Sequence, residues 1–149
     1  MLGKVLTELN NFFVRSCERI TANITGQTIS GVSGTYLPGQ YILIKDTILN
    51  DGVYRISSVE PGVLTVETTL SDEVSDIRLF GLAVPKEIQD LATEIQTFIT
   101  AGNSKDGIAS ESLGDYSVSY VDKGGGGWQA VFSKRLNAYR SIYPDFRRW

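Results

Sequence analysis

The side chains that could do chemistry here are carboxylates, lysines, arginines and tyrosines, because the 149 residues include no histidine. That absence removes Ser-His and Cys-His nucleophile pairs, His-ligated zinc and the commonest general base near neutral pH. Ser33, in Ser30-Gly-Val-Ser-Gly34, superficially matches a nucleophile elbow, but its spacing is wrong and no imidazole could activate it. Asp72, Glu73 and Asp76 crowd one turn without the Asp-x-Asp-x-Asp-Gly pattern of a calcium loop, and read as a solvated acidic turn. Gly124–Gly127 open a helical pattern, as phosphate-binding loops do. No Lys-Ser/Thr pair follows them, so they read as a hinge. A hydrolase working on carboxylates alone would need two acids converging in a cleft, and no pair stands out from ordinary surface charge. The expectation is a protein with no catalytic residue, cofactor or metal.

The single cysteine, Cys17, excludes an internal disulfide and a CxxC motif. It is read as core filling on the apolar face of a helix. Asn23-Ile24-Thr25 is formally a glycosylation sequon and is taken as chance. No apolar run approaches the roughly 20 residues of a membrane span, and the first twenty residues lack a signal-peptide pattern, so cytoplasmic synthesis is expected.

The elements that would position these residues follow from hydrophobic periodicity. Val5, Leu6, Leu9, Phe12, Phe13, Cys17 and Ile20 fall close to a 3.6-residue period and predict a helix over 3–22. Residues 27–81 change character. The β-rich runs 40–45, 53–59, 63–68 and 77–83 are separated by turn signals such as Asn50-Asp51-Gly52 and Glu60-Pro61-Gly62. From Pro85 a helical face returns with Ile88, Leu91, Ala92, Ile95, Phe98 and Ile99, stopped at Gly102. Trp128, Val131, Phe132, Leu136, Tyr139 and Tyr143 describe a last amphipathic helix ending near Pro144. Three apolar helix faces need one another. The predicted fold is therefore α+β: a small three-helix bundle (1–26 and 82–149) carrying an inserted antiparallel β-module (27–81) and a protruding loop and strand (102–127).

Within that protrusion, Tyr116-Ser-Val118-Ser-Tyr120 alternates large and hydroxyl side chains, a lone strand with no obvious local partner. It could form an edge hairpin on its own subunit or add to a neighbour, where main-chain hydrogen bonds give affinity and alternate side chains fill pockets. Charge is also uneven. Residues 134–149 hold five cations against Asp145, net +4, which leaves −7 for residues 1–133 out of a total of −3. The basic end either marks a polarised surface with different partners at its two ends or matches a helix dipole.

The segments "VPKEIQDLATEI", "SESLGDYSVSY" and "WQAVFSKRLNAYR" together resemble the head–tail connector, or head-completion, proteins of long-tailed bacteriophages and prophages. The run "LPGQYILIKDTILNDGVYRISSV", leading into "LSDEV", is similar to a β-insertion in a subset of these proteins. The resemblance touches most of the chain, although residues 1–10 add little. It implies a virion protein with no enzymatic role, forming a ring, usually dodecameric, below the portal. Its partners would be further copies, the portal protein, and a stopper or tail-completion protein, with DNA conducted through the channel and no membrane involved. It implies that Ser112, Gly114, Asp115, Tyr116, Val118 and Tyr120 lie between subunits, and that Arg140, Tyr143, Phe146, Arg147, Arg148 and Trp149 contact the portal. An acidic chain, with pI near 4.9, suits a conduit that should not grip phosphate. The alternative is a small nucleic-acid-binding module with a basic C-terminal segment, against which stands the scarcity of cations in the β-module (Lys45, Arg55 and Arg78).

Overall fold

A computed structural model describes residues 1–101 and 127–149. They form two compact units, one of residues 12–84 and 145–149, the other of residues 1–11 and 85–144.

The first unit is a closed antiparallel barrel. Its strands are β1 (Val14–Thr25), β2 (Thr28–Ser30), β3 (Tyr41–Lys45), β4 (Gly52–Glu60), β5 (Val63–Val66) and β6 (Glu73–Leu82), joined in the order β1-β2-β5-β4-β3-β6. β1 pairs with β6 along most of its length, Ile20 opposite Ile77 and Ile24 opposite Glu73. Closure follows from alternation, since successive side chains of a strand point to opposite faces. Ala22, Ile24, Ile29, Ile42, Ile44, Ile56, Leu64, Val66, Ile77 and Leu79 all point inward, and they fill the interior with β-branched and aliphatic groups. Burying each such side chain stabilises by about 1.5–3 kcal/mol. Val32, Tyr36 and Leu70 close the ends from the loops.

The second unit is helical. α1 (Leu2–Leu9) and α2 (Lys86–Thr100) bury Val5, Leu6, Leu9, Ile88, Leu91, Ala92, Ile95 and Phe98. α3 (Gly127–Val131) and α4 (Ser133–Leu136) add Trp128, Ala130, Val131 and Leu136. Phe98 and Phe132 meet edge to face at 5.5 Å. The Arg135 guanidinium clamps the Glu94 carboxylate with two hydrogen bonds, 2.8 and 2.7 Å.

This architecture overturns the expected α+β bundle with an inserted β-module. The chain is mainly a six-stranded barrel with a few short helices. The predicted helix over 3–22 ends at Leu9, because Asn10 adopts a left-handed conformation (φ 52°) that an asparagine tolerates and a continuing helix does not. Residues 14–25 are instead the longest strand, so the barrel unit begins at Phe12 rather than at residue 27. Cys17 accordingly sits half-buried on a strand, not on a helix face. The predicted final helix is broken into α3, α4 and a 3-10 turn over Asn137–Tyr139. Strands β3 to β6 lie where the sequence puts them, and α2 spans nearly its predicted length. No described helix is long and apolar enough to cross a membrane.

Candidate interaction surfaces

Ser112, Gly114, Asp115, Tyr116, Val118 and Tyr120 lie outside the described residues. The basic C-terminal stretch is described, and the structure divides it. Arg140 belongs to the helical unit, donating to the Glu8 carbonyl (2.9 Å), the Glu8 carboxylate (3.2 Å) and Asn137 (3.1 Å). Tyr143 and its neighbour Ile142 are exposed there. Phe146 belongs to the barrel unit. Its ring lies edge-on to Phe12 at 5.4 Å, 6.0 Å from Phe80, with the Lys45 ammonium 5.0 Å from its centroid. Asp145 fixes this short strap by accepting the backbone N–H groups of Phe12 (2.7 Å) and Val14 (3.0 Å). Arg147 is exposed and Trp149 is half exposed, while Arg148 continues the same 3-10 turn, Asp145–Arg148.

The outer wall under the strap follows from register. Because Ala22, Ile24, Ile42, Ile44, Ile77 and Leu79 face in, Arg19, Leu43, Lys45, Arg78 and Phe80 face out. Arg19 stands directly opposite Arg78, and Arg78 directly opposite Lys45, giving three cations in one row across β1, β6 and β3. Like charges placed directly opposite destabilise a sheet. Asp46 offsets part of this through two hydrogen bonds from Arg78 (2.6 and 3.2 Å), which hold its carboxyl below the usual carboxylate range and raise the guanidinium. Lys45 lies 3.9 Å from Asp51. Arg19 has no carboxylate partner among the described residues and borders a shallow groove of about 390 Å³ with Thr21, Asp46, Asp76 and Arg78. Burial pushes the Cys17 thiol on this wall above its ordinary pKa.

One end of the barrel, remote from Phe12 and Val84, gathers the β1–β2 turn and the loops 46–51 and 67–72. Asn50 is buried and ties the two loops together, its amide donating to the Ser71 carbonyl (2.8 Å) and accepting the Ser71 N–H (2.9 Å). Glu73 adds a second tie by accepting the Leu49 N–H (3.2 Å). Its other carboxylate oxygen is buried without a hydrogen-bond partner. On this braced end Ile48, Leu49 and Val74 are 85%, 62% and 68% exposed. The residues 46–54 and 67–73 carry Asp46, Asp51, Glu67, Asp72 and Glu73 and no lysine or arginine.

Ser33 and the acidic turn take part in hydrogen bonds that hold the barrel's loops, and Gly124–Gly126 lie outside the described residues. Ser33 and Gly34 donate their backbone N–H groups to the Glu18 carboxylate (2.9 and 2.6 Å), which also accepts the Tyr36 hydroxyl (2.9 Å). Burial, then this bond, pushes the Tyr36 phenol far above its ordinary pKa. The loop after β2 thus seals the barrel through one acid. Asp72 accepts the Gly26 N–H (3.0 Å) and Asp76 the Thr21 hydroxyl (2.5 Å), so two acids of this turn brace their neighbours. Among the described residues no three acids or cysteines converge as a metal site would need.

Comparison of the chain with protein-family models, with curated proteins and with solved structures finds no match.

The cationic row does not follow from a helix over 3–22, the element the sequence predicts where β1 lies. Ile20, Ala22 and Ile24 alternate with Arg19, Thr21 and Asn23, which is the period of a strand and would have placed Arg19 on an outer face.

Proposed function

We propose that this chain is a non-enzymatic virion protein that forms a ring at the head–tail interface of a long-tailed phage, joining a DNA-filled capsid to its tail. The observation that carries the reading is the display of Ile48, Leu49 and Val74 on a barrel end braced by Asn50 and Glu73. Large apolar groups gathered in solvent and rimmed by polar residues are common where a surface meets another protein. The filled barrel interior gives these residues a stiff base. Ile142 and Tyr143 supply exposed apolar groups on the helical unit. The resemblance of residues 84–95, 110–120 and 128–140 to connector proteins points the same way. In this reading the portal is met by Tyr143, Arg147 and Trp149, while Phe146 and Arg140 hold their own subunit together. Residues 112–120 join adjacent copies. DNA passes without sequence-specific contact.

Mixing the purified protein with DNA-filled capsids that bear a portal but lack their tail is the test. The expected result is saturable co-sedimentation and protection of the DNA from nuclease. A protein that binds neither those capsids nor the isolated portal would end this reading.

The row Arg19–Arg78–Lys45 favours a second reading, a nucleic-acid-binding module. It predicts filter-retained DNA whose affinity falls steeply with log[salt], because each phosphate contact releases counterions.

A further inference from the structure

The barrel unit carries two surfaces whose chemistry is complementary. The braced end presents Ile48, Leu49 and Val74 amid carboxylates, of which Asp72 and Glu73 have no cationic partner among the described residues. The outer wall presents Arg19, which makes no ion pair among the described residues, beside Arg78 and Lys45. Phe146 of the strap lies against Lys45, the exposed Arg147 follows it in the same short 3-10 segment, and the half-exposed Trp149 comes directly after that segment.

We propose that the braced end of one copy docks on the outer wall of a second copy, with Ile48 and Leu49 seated against Trp149 and with Asp72 facing Arg147. This deepens the ring reading above and rests on it. It names the faces through which copies would meet.

Three observations select a second copy as the occupant. Both faces belong to the same unit, one an end and the other a side, and they adjoin at the loop 46–51, whose Asp46 and Asp51 pair with Arg78 and Lys45. A contact between two different faces is heterologous, and such contacts repeat from copy to copy until they close into a ring. The charges oppose each other, which steers encounter and penalises an end-to-end or wall-to-wall pairing of like charges. The wall also carries a cost that its own subunit only partly relieves, since Asp46 bonds Arg78 while Arg19, in the same groove, makes no ion pair among the described residues. A neighbouring carboxylate would relieve the rest.

The measurement is the mass distribution of the full-length protein by sedimentation velocity and native mass spectrometry as its concentration rises, repeated at high salt. Self-association that weakens with salt is expected. Ile48→Asp and Leu49→Asp should each weaken it by about tenfold or more, since each change keeps an exposed apolar side chain from being covered. Asp72→Arg and Arg147→Asp should each weaken it, and the two together in one chain should restore it. Both positions are exposed, and a retained circular dichroism spectrum checks that each variant folds. Four results would overturn the proposal: a wild-type protein that stays monomeric at every concentration, Ile48→Asp and Leu49→Asp variants that associate as wild type, a double charge swap that restores nothing, or Arg19→Glu and Arg147→Asp changes that abolish DNA retention without touching self-association. Portal binding separates the two ideas. A strictly monomeric protein that still binds portal-bearing capsids removes this contact and leaves the connector reading standing.

Discussion

The barrel and the helical unit solve the same problem in opposite ways. The barrel is almost one continuous stretch of chain. Its strands satisfy one another's backbone groups around a closed ring, and its core is a stack of isoleucines, leucines and valines facing inward. The helical unit draws on both ends of the chain, with Val5, Leu6 and Leu9 from the start and Trp128, Val131 and Leu136 from far downstream. Each of its helices satisfies its own backbone, but no single segment makes a core. The lesson is that local hydrogen bonding comes cheaply to helices while their packing depends on long-range return of the chain. In the barrel, hydrogen bonding and packing are specified by the same alternating pattern.

Core truncation should break this comparison most sharply. Ile44→Ala removes a fully buried inward side chain from the barrel and should cost about 2–5 kcal/mol, read from denaturant unfolding. Trp128, nearly buried, reports the helical unit by fluorescence. A cost below about 1 kcal/mol would mean the interior can collapse around the gap, contrary to a close-packed barrel. Next in size is the strap. Asp145→Ala leaves two backbone donors, on Phe12 and Val14, without their acceptor, and should cost about 1–3 kcal/mol. The anisotropy of Trp149 should fall as the strap loosens. Unchanged anisotropy would show that Phe146 alone suffices.

The smallest effects are electrostatic, and each unit offers one. Glu94 is clamped by Arg135 on the helical unit, and Asp46 by Arg78 on the barrel. Hydrogen bonds from the guanidinium hold both carboxyls below their ordinary pKa. A carboxyl depressed in the folded state contributes stability above its unfolded pKa and loses it as pH falls through the folded value. Glu94→Gln and Asp46→Asn should therefore each cost up to about 1 kcal/mol at neutral pH. Each cost should shrink below the ordinary carboxylate range and in high salt. A cost that persists in acid would assign the effect to packing instead of charge.

Much of this molecule was legible beforehand. Strands β3 to β6 announced themselves through Asn50-Asp51-Gly52, Glu60-Pro61-Gly62 and β-rich runs, and α2 through a clean apolar face ending at Gly102. The failure lay in residues 3–22, where a genuine helix and the longest strand share an apolar spacing that one period can fit. Asn10-Asn11 was the stop signal, and the alternation of Ile20, Ala22 and Ile24 the new period. Reading those residues as helix removed the strand that pairs with β6 and so hid the closure of the barrel. The surfaces were harder still. Ile48, Leu49 and Val74 look like ordinary loop and strand residues until Asn50 and Glu73 are seen to bind the loops together. The row of Arg19, Arg78 and Lys45 joins residues far apart in sequence, and only register reveals it.

A sheet that returns to its first strand leaves a foreign ribbon only the lengths its own ladders do not fill, such as the side of β1 that β2 meets over Asn23–Thr25 alone. A contact between the braced end of one barrel and the outer wall of another would run instead through side chains. Joints of that kind loosen with salt and can be rewritten one residue at a time, so a particle built from them could be retuned without remaking the part.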